Sequence, residues 1–422
     1  MAPRKLGIRY LHLLSQGYFE HGLYSLRRMD ASALFYPSTS KAKAAAAAAT
    51  TAAAGRKREG EPFDFALAAM GPARLLKQVI HYRPLAAGWP YRCGPSSEVF
   101  ARFGCGGGKV LCADAAGLAA VYDAEEQSFV PIPAMNSLKG TGHVAFSVSA
   151  PRAAAAGDTP SSGIRSGYAD VLSAGSNGKR ADTVYVLDTS GGEFRNASCF
   201  EELAYGGPRE GWRWRPLPPP PFLQQDTYYG VARAATPAYA VIPATADGGG
   251  ARVYVSTATA ATYAFDTAAR EWSKAGDWAL PFAGRAEHVP ELGVCVGLSS
   301  DIDNPYGIWT VDLAGAVAAA GDGAPPAARH VGLDLDPPPP EPVPGEGDPE
   351  WLLEDQALVS LGSGRLCVAR FFNHYYDRYT PALAVFTGVE VVPSGGGSDG
   401  GFSLIRHKSQ YISSDGATMR VL

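Results

Sequence analysis

Short runs of alternating hydrophobic and polar residues recur along the chain, and several of them end in an aspartate. In TYAFDTAAREW, residues 262–272, the alternation stops at Asp266, and Trp272 follows six positions later. Alternation with a period of two is typical of a β-strand, and an aspartate side chain ends such a strand by accepting hydrogen bonds from turn amides. The spacing therefore predicts a hairpin with the aspartate at the end of one strand and the aromatic residue in the next. The same spacing recurs in Asp30 with Tyr36, Asp123 with Phe129, and Asp188 with Phe194.

Two further segments carry part of this pattern. Asp312 follows the aromatic strand in GIWTVDL without a later aromatic residue, and PALAVFTGV at 381–389 keeps only the alternation. Hydrophobic residues followed by proline close several hairpins, as after Trp214, because proline has no amide hydrogen to continue a sheet. The repetition predicts an all-β chain, a β-propeller of about six four-stranded blades with low-complexity loop insertions. We expect FSLIRHKSQYI, residues 402–412, to complete a sheet with the N-terminal strands.

The repeated aromatic residues are predicted to anchor each sheet to its neighbour. An aromatic side chain buries a large area, and truncating one in a core costs about 3 to 5 kcal/mol. We therefore expect Tyr36, Phe129 and Trp272 to be buried between adjacent sheets.

The aromatic-aspartate strand, the aromatic residue six positions later and the hydrophobic-proline close resemble the kelch repeat. The resemblance covers the chain from about residue 8 to residue 412, but the paired glycines of kelch strands are missing. Ala113-Asp114 and Ser256-Thr257 stand in their place. The opening RYLHLLSQGYFEHGLYSLRRMDASALFYPS, residues 9–38, is similar to a cereal family of uncharacterised proteins that carry a plant domain of unknown function. That resemblance implies a kelch-like propeller and no established activity.

Low-complexity segments interrupt the pattern, and we interpret them as loops that have grown within a single propeller domain, residues 1–422. The Ala-rich residues 41–62 could form a helix, but they have no apolar stripe to bury, so we expect a disordered insertion. Residues 150–181, rich in Ala, Gly and Ser, are interpreted as a flexible insertion. Residues 314–350, rich in Ala, Gly and Pro, are interpreted as another insertion.

Composition and charge narrow the classes of partner. The 422 residues are 46% hydrophobic and only 18% charged, with 49 glycines and 33 prolines, which is typical of turn-rich β structure. A formal net charge of −4 gives the chain as a whole no attraction to nucleic acid or to an anionic membrane. No apolar run reaches the roughly 18 to 20 residues of a membrane span. We therefore predict no nucleic-acid partner and no membrane partner.

Cysteine spacing and the N-terminal residues indicate the compartment. The six cysteines include no CxxC pair, and the apolar run near the N-terminus is interrupted by His12 and ends after Leu14. Such a run is too short for a secretion signal. We predict a monomer that is cytoplasmic or nuclear and not secreted.

The densest set of polar aromatic residues is FFNHYYDRY, residues 371–379, between two strand-like runs. Loops on propellers carry function, so we interpret this segment as a hairpin tip and a candidate binding loop. Its candidate residues are His374, Tyr375, Tyr376, Asp377 and Arg378. A metal centre would need further ligands, and no second histidine lies near. We therefore predict no metal.

No motif assigns a catalytic residue or a cofactor. CGGGKVLC at 105–112 departs from a phosphate-binding loop, because Phe103 stands where that loop needs glycine and Val110 where it needs Ser or Thr. The eight histidines are scattered, and catalytic partners meet in space rather than in chain order.

The sequence favours a non-catalytic module that binds an unknown protein partner. The alternative is an enzyme or small-ligand binder at the mouth of the propeller's central channel. That alternative would need several Asp, Glu, His or Tyr side chains converging on one pocket.

Overall fold

The computed structural model is all-β, apart from one α-helix and two short 3-10 helices in the part of the chain that it describes. It describes residues 6–17, 23–54, 70–84, 98–104, 107–140, 142–148, 182–189, 198–206, 210–224, 237–244, 250–256, 261–301, 304–313, 315, 324–331, 351–374, 382–394, 401–414 and 416–422. The strands are β1 (Tyr10–Gly17), β2 (Tyr24–Asp30), β3 (Gly71–Pro72), β4 (Leu75–Tyr82), β5 (Val99–Phe103), β6 (Lys109–Ala113), β7 (Ala119–Asp123), β8 (Ser128–Ile132), β9 (His143–Val148), β10 (Thr183–Asp188), β11 (Phe200–Tyr205), β12 (Trp212–Pro216), β13 (Ala238–Pro243), β14 (Ala251–Ser256), β15 (Thr262–Asp266), β16 (Glu271–Gly276), β17 (Arg285–Val289), β18 (Val294–Leu298), β19 (Ile308–Val311), β20 (Ala328–His330), β21 (Trp351–Gly362), β22 (Arg365–His374), β23 (Ala382–Pro393), β24 (Phe402–Ser414) and β25 (Gly416–Val421). The helices are α1 (Thr39–Ala54) and the 3-10 helices Ala31–Leu34 and Pro221–Gln224.

The chain divides into two compact units. The first comprises Met1–Arg83, Pro281–Ala319 and Pro326–Leu422, and the second comprises Pro84–Leu280 and Ala320–Pro325. Each unit is built from small antiparallel arrays of strands. A single propeller domain over the whole chain stays a prediction.

The second unit contains three four-stranded arrays in its described residues: β5 to β8, β9 to β12 and β13 to β16. Strands within each array follow chain order, so neighbours along the chain are paired. β5 lies against β9, and β9 lies against β13. Facing sheets share apolar cores, one around Phe103 and Trp212 and the other around Phe200 and Phe265. The aromatic residues of these strands therefore join one array to the next.

The first unit contains the array β25-β1-β2-β4, the array β17 to β20, and the array β21 to β24, to which β3 adds two residues in parallel. β17 lies against β21, and β21 against β25. The chain's last residue is tied to β1, because the Leu422 amide donates to the His12 carbonyl oxygen at 2.9 Å. β25 therefore supplies the closing strand beside β1. Residues 402–412 were expected in that place and instead lie in β24, beside β23.

Two of the predicted hairpins form as the spacing indicates. Asp266 ends β15, and its carboxylate accepts hydrogen bonds from two turn amides at 2.9 and 3.0 Å. Trp272 follows in β16, paired with Phe265. The equivalent hairpin runs from Asp123 at the end of β7 to Phe129 in β8, again with two turn amides bonded to the aspartate. The aspartate therefore marks the turn for the physical reason that the sequence suggested.

The aromatic residues of the repeat are less buried than predicted. Phe129 is 37% exposed, because β8 is an edge strand and the ring packs on Tyr122 of the same sheet, with centroids 5.1 Å apart. Tyr36 and Trp272 are partly buried. The prediction of burial between sheets is therefore wrong for Phe129.

Asp30 starts a different local structure. Its carboxylate accepts the Ser32 amide at 2.9 Å and caps the 3-10 helix Ala31–Leu34. No second strand follows within the hairpin distance, so the predicted Asp30 to Tyr36 hairpin is wrong. After Asp30 the chain enters this 3-10 helix and not a second strand that could pair with β2.

Asp188 and Asp312 also end or follow strands. Asp188 ends β10, but its carboxylate accepts the amide of Gly140, 48 positions away, at 2.7 Å. Asp312 follows β19 and accepts the amide of Gly315 at 2.7 Å. Phe194, the predicted aromatic partner of Asp188, lies outside the described residues.

The Ala-rich insertion is helical where the sequence predicted disorder. α1 covers residues 41–54 of it, and alanine has the highest helix propensity of any residue. The helix is anchored at its start, because Ala42 is fully buried and the Thr39 hydroxyl donates to Glu390 of β23 at 2.9 Å. This docking supplies the tertiary support that a helix without an apolar stripe otherwise lacks.

The other predicted insertions fall mostly outside the described residues. Residues 55–62 and the predicted flexible insertion 150–181 lie wholly outside them. Within 314–350 the structure describes 315 and 324–331, which include the short edge strand β20 beside β19.

Candidate functional site

One array of the first unit has much longer strands than its neighbour. β21 to β24 contain 12, 10, 12 and 13 residues, whereas β17, β18 and β19 contain 5, 5 and 4. At about 3.3 Å per residue, the long strands extend roughly 20 Å further. β17 and β18 share an apolar core with residues from 358–368 and 389–404, and this core covers one half of the long array. The part of the array that extends beyond β17 and β18 is therefore its other half. We call it the platform: residues 351–356, 370–374, 382–385 and 411–413.

The platform has its own small apolar core. Phe372, Leu383 and Val385 are each 3% exposed, and Leu353 and Tyr411 pack against them. Phe372 and Leu383 are also paired across β22 and β23. The end of the hairpin is therefore held by packing as well as by backbone hydrogen bonds.

A buried arginine fastens a neighbouring turn to the platform. The Arg370 side chain is fully buried, and its guanidinium lies 4.8 Å from the centroid of the Tyr306 ring. One guanidinium nitrogen, Nη2, donates to the Tyr306 carbonyl oxygen at 3.1 Å, and Gln356 Nε2 donates to the Pro305 carbonyl oxygen at 3.1 Å. A buried guanidinium needs such partners to offset its desolvation. The turn that contains Tyr306 is thereby positioned beside the hairpin end.

The predicted binding loop begins at this end of the platform. His374 is the last residue of β22, and its backbone pairs with Trp351 of β21. The structure therefore places the start of the loop where the sequence predicted a hairpin tip. Tyr375, Tyr376, Asp377 and Arg378 lie outside the described residues.

Sequence reasoning missed Arg370 and Tyr306 as parts of this site. Arg370 is the one charged residue in the apolar run CVARFF, and a lone charge in a buried strand is a signal for a partnered side chain. Its partner Tyr306 is 64 positions away, so no local pattern could have joined the two.

A second polar cluster lies in the second unit, around a buried ion pair. The Lys139 and Glu201 side chains are both fully buried and form a short salt bridge. The Lys139 ammonium also contacts Ser137 Oγ at 2.6 Å and the Ser198 carbonyl oxygen at 2.7 Å. An ammonium has three hydrogens to donate, and these three partners use them. Each of the three ammonium hydrogens therefore has an acceptor within the cluster.

The carboxylate of this pair is also satisfied. Glu201 accepts the backbone amides of Asn136 and Ser137 at 2.9 and 3.2 Å and the Asn136 side-chain amide at 2.6 Å. The cluster pins the segment before β9 to the start of β11. The Lys139 and Glu201 side chains themselves are closed to solvent, and their contacts join two segments of the backbone.

Three buried cysteines of the described residues are poor candidates for nucleophiles or metal ligands. Cys112, Cys295 and Cys367 are buried, and burial raises the pKa of each thiol, in the case of Cys295 to about 12. Reactive cysteines instead need a lowered pKa. In the described ranges, no group of three or more His, Cys, Asp or Glu residues is arranged to hold a metal ion. Within the same ranges, no helix is long and apolar enough to cross a membrane.

Comparison with known proteins identifies the family. Residues 9–412 match the model of a protein of unknown function, DUF1668. The chain belongs to the DUF1668 family. No curated protein matches its sequence.

Solved structures similar to this DUF1668 chain include β-propellers. One is the β-propeller domain of Cps50 (Swd1) from Myceliophteria thermophila, with 11% identity, a TM-score of 0.31 and 72% of each chain covered. A second is the SapL1 lectin in complex with alpha methyl fucoside, with 11% identity over 96% of this chain and 97% of that chain and a TM-score of 0.35. A third is a mutant of AofleA from Arthrobotrys oligospora, with 10% identity over 99% and 92% and a TM-score of 0.33. TM-scores this low carry no inference about function.

Proposed function

We propose that this DUF1668 chain is a non-catalytic, kelch-like β-propeller of about six blades that binds another protein. Four-stranded antiparallel arrays in each unit, with first strands that lie side by side, support the architecture. The proposed contact surface is the platform together with the loop residues His374, Tyr375, Tyr376, Asp377 and Arg378.

The observation that carries this proposal is the rigid base beneath the loop. The platform has a packed core of Phe372, Leu383 and Val385, and a buried Arg370 that holds the adjoining turn. A rigid support reduces the ordering entropy that binding would cost. Tyrosine is enriched at binding hot spots because it combines a large rigid ring with a polar group, and two tyrosines follow His374 directly.

Free cysteines support a reducing compartment, and we propose the cytoplasm or nucleus. Cys112, Cys199, Cys295 and Cys367 are all unbridged in the structure. Disulfides are rare where thiols are kept reduced. A fluorescently tagged full chain should therefore stay inside the cell. We also propose that the protein is a monomer, which analytical sedimentation of the purified chain would test.

The test compares partners of three forms of the full chain. Affinity capture from cells that make the protein, read out by quantitative mass spectrometry, uses wild type, the double variant Tyr375→Ala/Tyr376→Ala and the control Phe129→Ala. Phe129 is an exposed aromatic residue in the other unit, so its removal matches the loss of aromatic surface. We expect the loop variant to lose partners that the control retains, because truncating a hot-spot tyrosine costs about 2 kcal/mol or more.

Two outcomes would contradict the proposal. Identical partners in wild type and the loop variant would place the binding surface elsewhere. Stoichiometric copper, iron or zinc in the purified protein, lost in His374→Ala, would favour the alternative of an enzyme.

A further inference from the structure

A buried polar group holds the start of α1 against β23 and β24. The side chains of His407 in β24 and Glu390 in β23 are 0% and 1% exposed, and His407 Nε2 lies 3.2 Å from Glu390 Oε2. The same carboxylate oxygen accepts the Thr39 hydroxyl at 2.9 Å, and His407 Nδ1 accepts the backbone amide of Tyr36 at 3.2 Å. We call Tyr36, Thr39, Glu390 and His407 the latch. Both buried side chains therefore bind directly to the segment that leads into α1.

α1 depends on this attachment because its own sequence supports it weakly. Most of its residues are alanine, and an isolated helix of about 12 to 15 residues is only marginally stable in water. Among the side chains described for residues 40–48, that of Ala42 is the single buried one, and the two charged residues, Lys41 and Lys43, are exposed. The latch and Ala42 therefore supply the tertiary contacts at the start of the helix.

The protonation state of His407 decides whether its bond to Tyr36 can form. In the neutral ring, Nδ1 carries no hydrogen and accepts the Tyr36 amide, while Nε2 donates its hydrogen to Glu390. The imidazolium form carries a hydrogen on both nitrogens, so two donors would face each other at Tyr36. Protonation of the ring therefore removes the acceptor that holds the backbone at Tyr36.

The charged groups that face the His407 ring come from three strands: Glu390 from β23, Arg365 from β22 and Lys408 from β24. Burial disfavours the imidazolium form, Glu390 favours it, and the two cations oppose it, so the pKa of His407 lies below its ordinary value of 6.5. A ring that has left this site regains its ordinary pKa in water. In mild acid the released form therefore takes up a proton more readily than the docked form, and proton uptake favours release.

From these contacts we propose that the latch is acid-sensitive: protonation of His407 frees Tyr36 and the first turn of α1, while the array β21 to β24 stays folded. Continuous backbone pairing joins β22, β23 and β24, whereas the hydrogen bonds of Tyr36 and Thr39 to the array go to side chains. A segment attached in this way can open locally, at a lower free energy than the whole chain needs to unfold. The inference does not rest on the binding function proposed for the platform.

The experiment measures amide hydrogen exchange of the full chain by mass spectrometry between about pH 7.5 and about pH 5.5, with rates corrected for the intrinsic effect of pH on exchange. We expect exchange in residues 36–48 to become several-fold faster in acid, up to about tenfold, because opening takes up one proton on a group with a pKa near 6.5. Residues 365–374 of β22 should keep their protection. His407→Gln should remove the acid response, and the control His81→Gln, at an exposed histidine of β4, should retain it.

The wild-type measurement decides the proposal even if His407→Gln fails to fold. Exchange in residues 36–48 that does not respond to acid would overturn it, and so would equal acceleration in residues 365–374, which indicates unfolding of the whole array. A full acid response in a folded His407→Gln variant would assign the response to another group and also overturn it. Thr39→Val removes the hydroxyl and keeps the shape of the side chain, so it should speed exchange in residues 36–48 at neutral pH and keep the acid response. Wild-type exchange in Thr39→Val at neutral pH would overturn the part of Thr39 in the latch.

Discussion

The indole N–H of Trp272 donates to the carbonyl oxygen of Pro218 at 2.9 Å, and this hydrogen bond joins β16 to the segment just after β12. Trp214 of β12 donates in the same way to Pro133, just after β8, also at 2.9 Å. In these two arrays, the last strand thus bonds to the proline segment that closes the array before it. Two of the hydrophobic-proline ends, at Pro133 and Pro218, are therefore acceptors for a tryptophan of the next array.

Removing this contact should destabilise the second unit. The Trp272 ring packs on Phe200 and Phe265, with centroids 5.7 and 5.0 Å away, so Trp272→Ala should lower the free energy of unfolding by about 3 kcal/mol. Trp272→Phe keeps most of the packing and should cost about 1 kcal/mol for the lost hydrogen bond. Urea unfolding followed by circular dichroism measures both. Phe129→Ala is the control and should cost less than about 1 kcal/mol; equal losses in Trp272→Ala and Phe129→Ala would contradict the anchoring role.

Breaking the buried ion pair should cost more than removing both of its charges. Lys139→Met leaves the Glu201 carboxylate buried without its cation and should destabilise the chain by about 3 to 5 kcal/mol. Lys139→Met/Glu201→Gln removes both charges and keeps one oxygen, which can accept the Asn136 backbone amide, and should recover at least about half of that loss. If the double variant is no more stable than Lys139→Met, the unpaired charge of Glu201 is not the main cause of the lost stability. The same denaturation experiment reports both values.

Stability should fall in mild acid because of His407. The Tyr36 amide donates to His407 Nδ1 at 3.2 Å, so the neutral ring carries its hydrogen on Nε2, which lies 3.2 Å from Glu390. Burial lowers the pKa of His407 from 6.5; Glu390 opposes this shift, and Arg365 and Lys408 add to it. A histidine with a lowered pKa in the folded state stays neutral there at a pH at which the same side chain in the unfolded chain takes up a proton.

This stabilisation is therefore fully present above pH 6.5 and is lost as the pH falls below that value. His407→Gln should flatten the dependence of the unfolding free energy on pH between neutral and mildly acidic conditions. Some slope should remain, because burial also lowers the pKa of His288. A variant with the wild-type slope would show that His407 does not titrate on unfolding. Guanidinium titrations at several pH values measure the slope.

Arg370 should control the order of the turn beside the platform. Arg370→Met removes the guanidinium from the Tyr306 ring and its hydrogen bond to the Tyr306 carbonyl oxygen. We expect faster amide hydrogen exchange in residues 304–307, with little change in the second unit, because a lost charge-assisted bond loosens the segment it held. Arg365→Met serves as the control, since Arg365 lies over Phe35 and away from this turn. Equal effects of the two variants on 304–307 would contradict the assignment.

Local structure was largely readable from the sequence. The period-two alternation marked β7, β10, β15 and β19. Asp123, Asp266 and Asp312 bind amides of the turn that follows, because a short carboxylate reaches that backbone, whereas Asp188 binds the distant amide of Gly140. The all-β class follows from the same alternation and from the glycine and proline content. The sequence could not decide between helix and disorder in 41–54, because the docking of Ala42 and Thr39 is not a property of the segment itself.

Contacts between distant segments were decided only by the tertiary structure. The sequence by itself determined that the chain makes short hairpins with turn-binding aspartates and that a polar aromatic segment follows β22. It could not determine that β25 closes the array of β1 or that Arg370 holds Tyr306. The physical reason is range: turns and strand alternation depend on interactions between neighbouring residues, whereas pairing partners, buried charges and charge clusters depend on which strands pack together.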